Sequence, residues 1–328
     1  MAKFLVKRLL YIILVLFIMS IILFIIQINV PGNPALQFIE GNMADFQSEA
    51  EWQLAYQAAR DMLGLDDNYL VQYSRWVTNI LRGDLGQSSL FRRPVAEVIG
   101  APMQNTLILN IFNLILVFMI TIPIGIRAAV RRGKAFDQGV QVATTIGMSM
   151  PLFLFAILIL IVFSVFTGWF PMGGTATAGA DYTGFAHLAD RARHIFLPLL
   201  TMVLTSMAGM TRFVRAAMAE ALTNDYVRTA RAKGLSEKVV IYSHAFRNAL
   251  VPIITVMTGW FMGIFGGTVM IERIFSFNGM GQVMINSLEA LDFQLFMTMN
   301  LFFIVVSLGA LLLMDIAYAL ADPRVRVG

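Results

Sequence analysis

The sequence predicts an all-α integral membrane protein with six transmembrane helices and an extracytoplasmic insertion between the first and the second. Three observations carry that reading: 58% of the 328 residues are hydrophobic, only 13% are charged, and the apolar residues gather into six long runs. Soluble domains carry about 25% charged residues, so a water-exposed surface cannot be built from this composition. A helix needs about 20 apolar residues to cross the hydrocarbon core, and the runs at 9–30, 103–126, 140–170, 195–211, 249–271 and 293–321 supply such lengths.

The first run follows Lys3, Lys7 and Arg8. It is longer than a signal-peptide core, and residues 27–32 offer no small-x-small cleavage site, so it reads as a span and not a leader. The third run contains Pro151, which removes a backbone donor and clashes with the preceding turn, so this span should kink or tilt. The fourth is short and stops at Arg212. The expected organisation is a cytoplasmic N-terminus and first span over 1–30, an extracytoplasmic helical region over 31–102, a transmembrane core of the remaining spans over 103–321 with a cytoplasmic loop at 220–248, and a cytoplasmic tail at 322–328.

Orientation follows from the basic residues, which favour the cytoplasmic side of short loops. With the N-terminus inside, the inside segments hold Lys3, Lys7, Arg8, Arg127, Arg131, Arg132, Lys134, Arg212, Arg215, Arg228, Arg231, Lys233, Lys238, Arg247, Arg324 and Arg326, sixteen of the 24. The other eight are diluted among 14 of the 20 acids. Both termini are therefore expected in the cytoplasm.

The 31–102 excursion is too long for a bare loop. Ser48 and Glu51 form a capping box for a helix that can stop at Gly64. Tyr69, Tyr73, Trp76, Val77, Ile80 and Leu81 fall at helical spacing before Gly83, predicting a second helix. These amphipathic helices are expected to pack on each other or on the membrane surface, with reception of an external partner as the alternative.

The search for chemistry excludes several classes. Absence of cysteine removes disulfides, thiol catalysis and Cys-ligated metals. No phosphate-binding loop is present: Gly133 and Lys134 lack both its spacing and its hydroxyl residue, so the chain should not hydrolyse nucleotide by itself. His187, His194 and His244 show no metal-ligand pattern, and no cofactor is expected. Asp315 is the one acid read as lying within a span, and it reads as a partner for a nearby basic group before it reads as a proton carrier. A secondary carrier would place charge or broken helices near the midplane, and none is evident.

In the second span Thr106, Asn110 and Asn113 share a helical face; they could line a hydrated translocation path or serve interhelical hydrogen bonds. Gly259, Gly263 and Gly267 form two overlapping G-x-x-x-G units in the fifth span, suited to close helix packing within the chain or against another subunit.

The segment 220–248 stands apart as a hydrophilic block between two apolar runs. Thr223 to Asp225 offers caps, Tyr226 to Lys233 can form two helical turns, Gly234 can take the left-handed stop, and Ser236 can cap a restart. A loop that only sets topology needs charges and not caps. A DNA-binding helix-turn-helix would be poorly placed between membrane tethers, so no nucleic-acid partner is expected.

The run from Asp225 through Tyr226, Val227, Arg228, Thr229, Ala230, Arg231, Ala232, Lys233, Gly234 and Leu235 to Ser236, followed by His244-Ala-Phe-Arg-Asn-Ala-Leu-Val-Pro252, resembles the coupling segment of binding-protein-dependent ATP-binding-cassette (ABC) importers of the dipeptide/oligopeptide permease branch. The general pattern E-A-A-x3-G-x9-I-x-L-P places Arg228 where its Glu stands, Ala230 at its second Ala and Gly234 at its Gly. His244 and Arg247 stand in place of the Ile and Pro, as that branch tends to show, and Pro252 fits its downstream proline. Further matches are Pro31-Gly-Asn-Pro34, Leu63-Gly-Leu65, Leu81-Arg-Gly-Asp-Leu-Gly86, Ser149-Met-Pro151, Glu272 with Ile274-Phe275, Gly279-Met-Gly281 and the terminal Asp315 to Arg326 region.

The resemblance implies the type I importer permease fold and a transport subunit, not an enzyme. It implies as partners a homologous second permease, two cytoplasmic ABC ATPases and an extracytoplasmic solute-binding protein, in the bacterial inner membrane and its lipid. Residues Asp225 to Leu235 would couple to the ATPase. The expected cargo is a di- or oligopeptide; an oligosaccharide, or a stand-alone carrier or channel, are the alternatives.

Overall fold

The computed structural model describes residues 2–29, 35–36, 39, 48–263 and 269–321. The Pro31 to Pro34 motif, Gly267 and the tail at 322–328 lie outside them. The chain divides into two compact units, Met1–Pro102 with Val283–Gly328 and Met103–Gln282.

The first unit is built on α1 (Ala2–Asn29), a long apolar helix. Arg8 Nη2 donates to Asp315 Oδ1 at 2.8 Å, so Asp315 is the structural ion partner its position suggested. It sits on the unit's C-terminal helix, Phe293–Ala321. Helix α2 (Glu49–Leu63) starts where expected, with Ser48 accepting from the Glu51 N–H, and stops at Gly64 in the left-handed region, φ 62°. Helix α3 (Tyr69–Leu81) follows, capped by the Asn68 side chain. A two-stranded hairpin, β1 (Gln87–Ser88) and β2 (Arg93–Pro94), is tied down by the buried Asp292. That carboxylate accepts from Ser88 Oγ and the Leu90 N–H, and its other oxygen caps the last helix through the Leu295 N–H.

Helix α4 (Val95–Val130) is the second span. The expected third span is broken at Pro151 into α5 (Ala135–Ser149) and α6 (Leu152–Leu160), which continues as a π-helical turn, Ile161–Phe166, and the two pieces meet at 96°. The proline does more than kink: Met150 is extended, φ −88° and ψ 124°, as the residue before a proline prefers, so the helix stops and restarts. Helix α7 (Gly184–Thr223) contains the short fourth run and extends it at both ends to 40 residues. The 220–248 block holds α8 (Asp225–Ala232) and α9 (Glu237–Val239) and leads into α10 (Arg247–Gly263), followed by α11 (Val269–Ile274), α12 (Met280–Glu289) and α13 (Phe293–Ala321). By length and composition the described residues hold five helices able to cross a membrane, or six with the bent pair as one span.

The second unit's main core gathers Val117 and Phe118 of α4, Val203, Met210, Val214 and Met218 of α7, and Ile253 of α10. Helices α4 and α7 approach closely at Gly125, where an added Cβ would fall 2.6 Å from Val214 Cγ1. Helix α5 is fastened to α7 by an ion pair: Arg215 grips the buried Asp137 through Nε to Oδ1 and Nη2 to Oδ2, and the Gly133 N–H adds a third bond at 2.8 Å. A bidentate arginine with a backbone donor leaves this carboxylate well satisfied.

Candidate functional site

The hydrophilic block folds as α8 (Asp225–Ala232), a short α9 (Glu237–Val239) and a π-helical turn, Val240–Phe246, leading into α10. Helix α8 has two faces. Val227 and Ala230, three residues apart, are 0% and 4% exposed and belong to the same core as α4, α7 and α10. Asp225, Tyr226, Arg228, Thr229, Arg231 and Ala232 are exposed, as are Lys233, Gly234 and Leu235 after it. The i, i+3 spacing of two apolar residues in an otherwise polar octet is what folds this helix against the bundle.

Its end is a Schellman motif. Gly234 takes φ 75°, its N–H reaches Arg231 O at 2.9 Å, and the Leu235 N–H reaches Ala230 O at 3.4 Å, the paired bonds that satisfy the last carbonyls. Across the turn, Arg231 Nε donates to Glu237 Oε1 at 2.8 Å and bridges α8 to α9. The predicted caps are only half realised. Asn224 and Ser236 occupy the cap positions, yet neither side chain bonds a helix N–H. The Asn224 amide instead donates to the Tyr226 hydroxyl at 3.3 Å.

The π-helical turn was not legible as such, although its cause is in the sequence. Val240, Ala245, Ala249 and Ile253 are all buried in one core, at spacings of five, four and four. An α-helix keeps i and i+4 on one face, so the five-residue step needs a wider i→i+5 turn to bring Val240 and Ala245 inward together.

The three candidate path residues are all buried on α4. Thr106 Oγ1 donates to Glu272 Oε1 at 2.8 Å and accepts from the Met280 N–H at 2.8 Å. Asn110 donates to Thr106 O. Asn113 Oδ1, and Thr121 Oγ1 further along the helix, are buried with no partner among the described residues. Thr106 is thus part of a junction that the sequence reading did not identify as a site. Fully buried Glu272 on α11 accepts from Thr106 and from the Gln282 N–H at the start of α12. Beside it Asn105 donates to Asn278 O and accepts from Arg191. Gly279 leaves room for the carboxylate, since an added Cβ would fall 2.4 Å from it. The available signal was an acid directly after an apolar run, followed by Phe-Asn-Gly-Met-Gly.

Of the three packing glycines, Gly259 is exposed on α10, where an added methyl would meet nothing within 4 Å. Gly263 ends the helix. Among the described residues no group of His, Cys, Asp and Glu could hold a metal.

The fold defines the class first. It is that of a type I importer permease, similar to the MetNI methionine ABC transporter solved in inward-facing conformations, with a TM-score of 0.54 at 14% identity over 69% of this chain and 97% of that one. The chain belongs to the family of binding-protein-dependent transport system inner membrane components, which residues 121–327 match, with residues 1–105 matching the N-terminal region of such membrane components. It is 36% identical to the oligopeptide transport system permease protein AppB of Bacillus subtilis, over 99% of this chain and all of the relative. A putative peptide permease of Brucella suis is 35% identical over the whole of both chains. The glutathione transport system permease protein GsiC of Escherichia coli K12 is 34% identical over 99% of both. The chain is accordingly the multi-pass membrane component of an ABC transport system that relies on a binding protein, and ATP hydrolysis belongs to a separate subunit.

Proposed function

We propose that this chain forms half of the translocation pathway of an ATP-driven importer of di- and oligopeptides, with both termini and the 220–248 block in the cytoplasm. The observation that carries the proposal is α8, a polar helix held to the spans by Val227 and Ala230 while its remaining residues face outward. Residues 225–235 dock in a groove of one of two cytoplasmic ABC ATPases. Because the docking helix shares a core with α4, α7 and α10, displacing it displaces the spans. Nucleotide biases the inward and outward states only by its differential affinity for them.

A homologous permease supplies the other half of the pathway, and an extracytoplasmic binding protein delivers the solute. Sixteen of 24 basic residues on one side support the orientation. A peptide cargo is supported by relatives named for oligopeptide, peptide and glutathione transport, glutathione being a short peptide, and this favours it over an oligosaccharide. Thr106, Asn110 and Asn113 stand near the path; the unpartnered Asn113 Oδ1 and Thr121 Oγ1 suit water or solute there, since buried polar atoms are seldom left unpaired. Exposed Gly259 suits the second permease at the α10 surface.

The chain has no cysteine, so single cysteines at Tyr226, Arg228 and Arg231 can carry crosslinkers in the assembled transporter. Adducts with the ATPase are expected from all three; adducts with lipid alone would overturn the docking. Mass spectrometry of the ligand on the partner binding protein tests the cargo, and an oligosaccharide found there would overturn it.

A further inference from the structure

We infer that α3 is seated in the lipid, at the acyl-chain boundary of the leaflet reached by the far end of α1, and does not rest on the membrane surface or receive an external partner, the options that the sequence left open. The first observation is depth. The membrane-crossing part of α1 runs from Val6 to Asn29, about 36 Å at 1.5 Å per residue, against a hydrocarbon core of about 30 Å. Helix α3 grips α1 well below its end. Tyr73 and Ser20 share a hydroxyl hydrogen bond of 2.8 Å, and Phe24 packs edge-on against Tyr73 at 5.4 Å and with a tilted ring against Trp76 at 6.2 Å. Ser20 lies nine residues before Asn29, about 13 Å along the axis. A helix anchored there has its free face at the depth of lipid tails.

The second observation is the free face itself. None of the residues of α3 is fully buried, and Leu70 and Leu81 are 76% and 81% exposed, with Tyr69 and Val71 also exposed. Two of its exposed hydroxyls are spent on its own backbone: Ser74 Oγ donates to Val71 O at 2.9 Å and Thr78 Oγ1 to Ser74 O at 2.7 Å. In hydrocarbon a polar group needs an internal partner, and these two have one, whereas Trp76 Nε1 is buried with none among the described residues. The one charged residue, Arg75, is paired with Asp67 at 2.5 Å, and Asn68 caps the first turn. The surface continues along α1, whose Ile22, Ile25 and Ile26 are exposed and apolar. A water-soluble partner would have to reach this face through the leaflet, so lipid is the occupant. Tyrosine and tryptophan near the boundary fit the aromatic belt of membrane proteins.

Spin labels on single cysteines test this in the full chain, assembled with its partners in a lipid nanodisc. Labels replace Leu70 and Leu81, with the exposed Asp61 of α2 as the aqueous reference. Collisions with dissolved oxygen are expected to exceed those with a water-soluble nickel chelate severalfold at both leucines, and the ratio to reverse at Asp61. Nickel access at Leu70→Cys and Leu81→Cys equal to that at Asp61→Cys would overturn the proposal in favour of water. Low access to both quenchers at the leucines would overturn it in favour of a protein partner.

Discussion

At Gly234 the backbone, not the packing, makes the demand. Its φ is 75°, yet an added Cβ would meet nothing within 4 Å. Any cost of substitution therefore comes from the left-handed conformation, about 1–2 kcal/mol for a residue with a Cβ, with asparagine tolerated better than alanine. Gly234→Ala should loosen the α8 stop, and Gly234→Asn should do so less. Since about 1 kcal/mol changes an opening equilibrium roughly fivefold, trypsin should cut after the exposed Lys233 about five times faster in Gly234→Ala, with Gly234→Asn between it and the parent. Equal cleavage of all three would show that the turn is not held by this glycine. Glu272 and Asp137 are the contrasting case, where burial makes the demand: one is met by a hydroxyl and a backbone N–H, the other by an arginine and a backbone N–H. Neither partnership can be read from the chain order, because Thr106 lies 166 residues from Glu272 and Arg215 lies 78 from Asp137.

Among the elements, most helix starts and stops are local. The capping box at Ser48, the stop at Gly64 and the helix ending at Leu81 depend on residues within a turn of one another. So does the interruption at Gly234. The long spans follow from hydropathy alone. What escaped needed tertiary context: the 96° break at Pro151 is set by what α5 and α6 each pack against, and proline signals only that something must give. The caps at Asn224 and Ser236 were expected from residue type, but other contacts and exposure replaced the side-chain bonds. The π-helical turn tests the same logic. If it exists to absorb one extra residue between Val240 and Ala245, deleting the exposed Ser243 converts the five-residue step to four and leaves Ala245, Ala249 and Ile253 in register. That deletion should cost within about 1 kcal/mol, whereas removing Val251, also exposed, breaks the step to Ile253 and should cost about 2–5 kcal/mol, the scale of losing a large buried side chain. Thermal unfolding of the two deletion variants separates the cases, and equal destabilisation would refute the register argument.

For the whole molecule, ATP hydrolysis belongs to a separate subunit, so the work must come from a neighbour, and α8 is the proposed point of entry. Moving a two-state transporter from 1:99 to 99:1 takes about 5.5 kcal/mol of differential binding. That difference has to pass through the contact of α8 with the bundle, made chiefly by Val227 and Ala230, and burying a valine contributes only about 1.5–3 kcal/mol. The joint is therefore comparable in strength to the load it carries. Weakening it should let the docking helix yield before the spans do. Val227→Ala removes about two buried carbons, near 1.6 kcal/mol, which corresponds to roughly a tenfold change in an equilibrium. The exposed face proposed to meet the ATPase is untouched, so assembly and nucleotide hydrolysis should stay close to the parent while uptake per ATP falls by up to about tenfold. Measuring peptide uptake and phosphate release on the same proteoliposomes distinguishes this from general damage. A proportional fall in both, or loss of the ATPase on purification, would mean that Val227 supports folding or docking and that force enters the spans elsewhere.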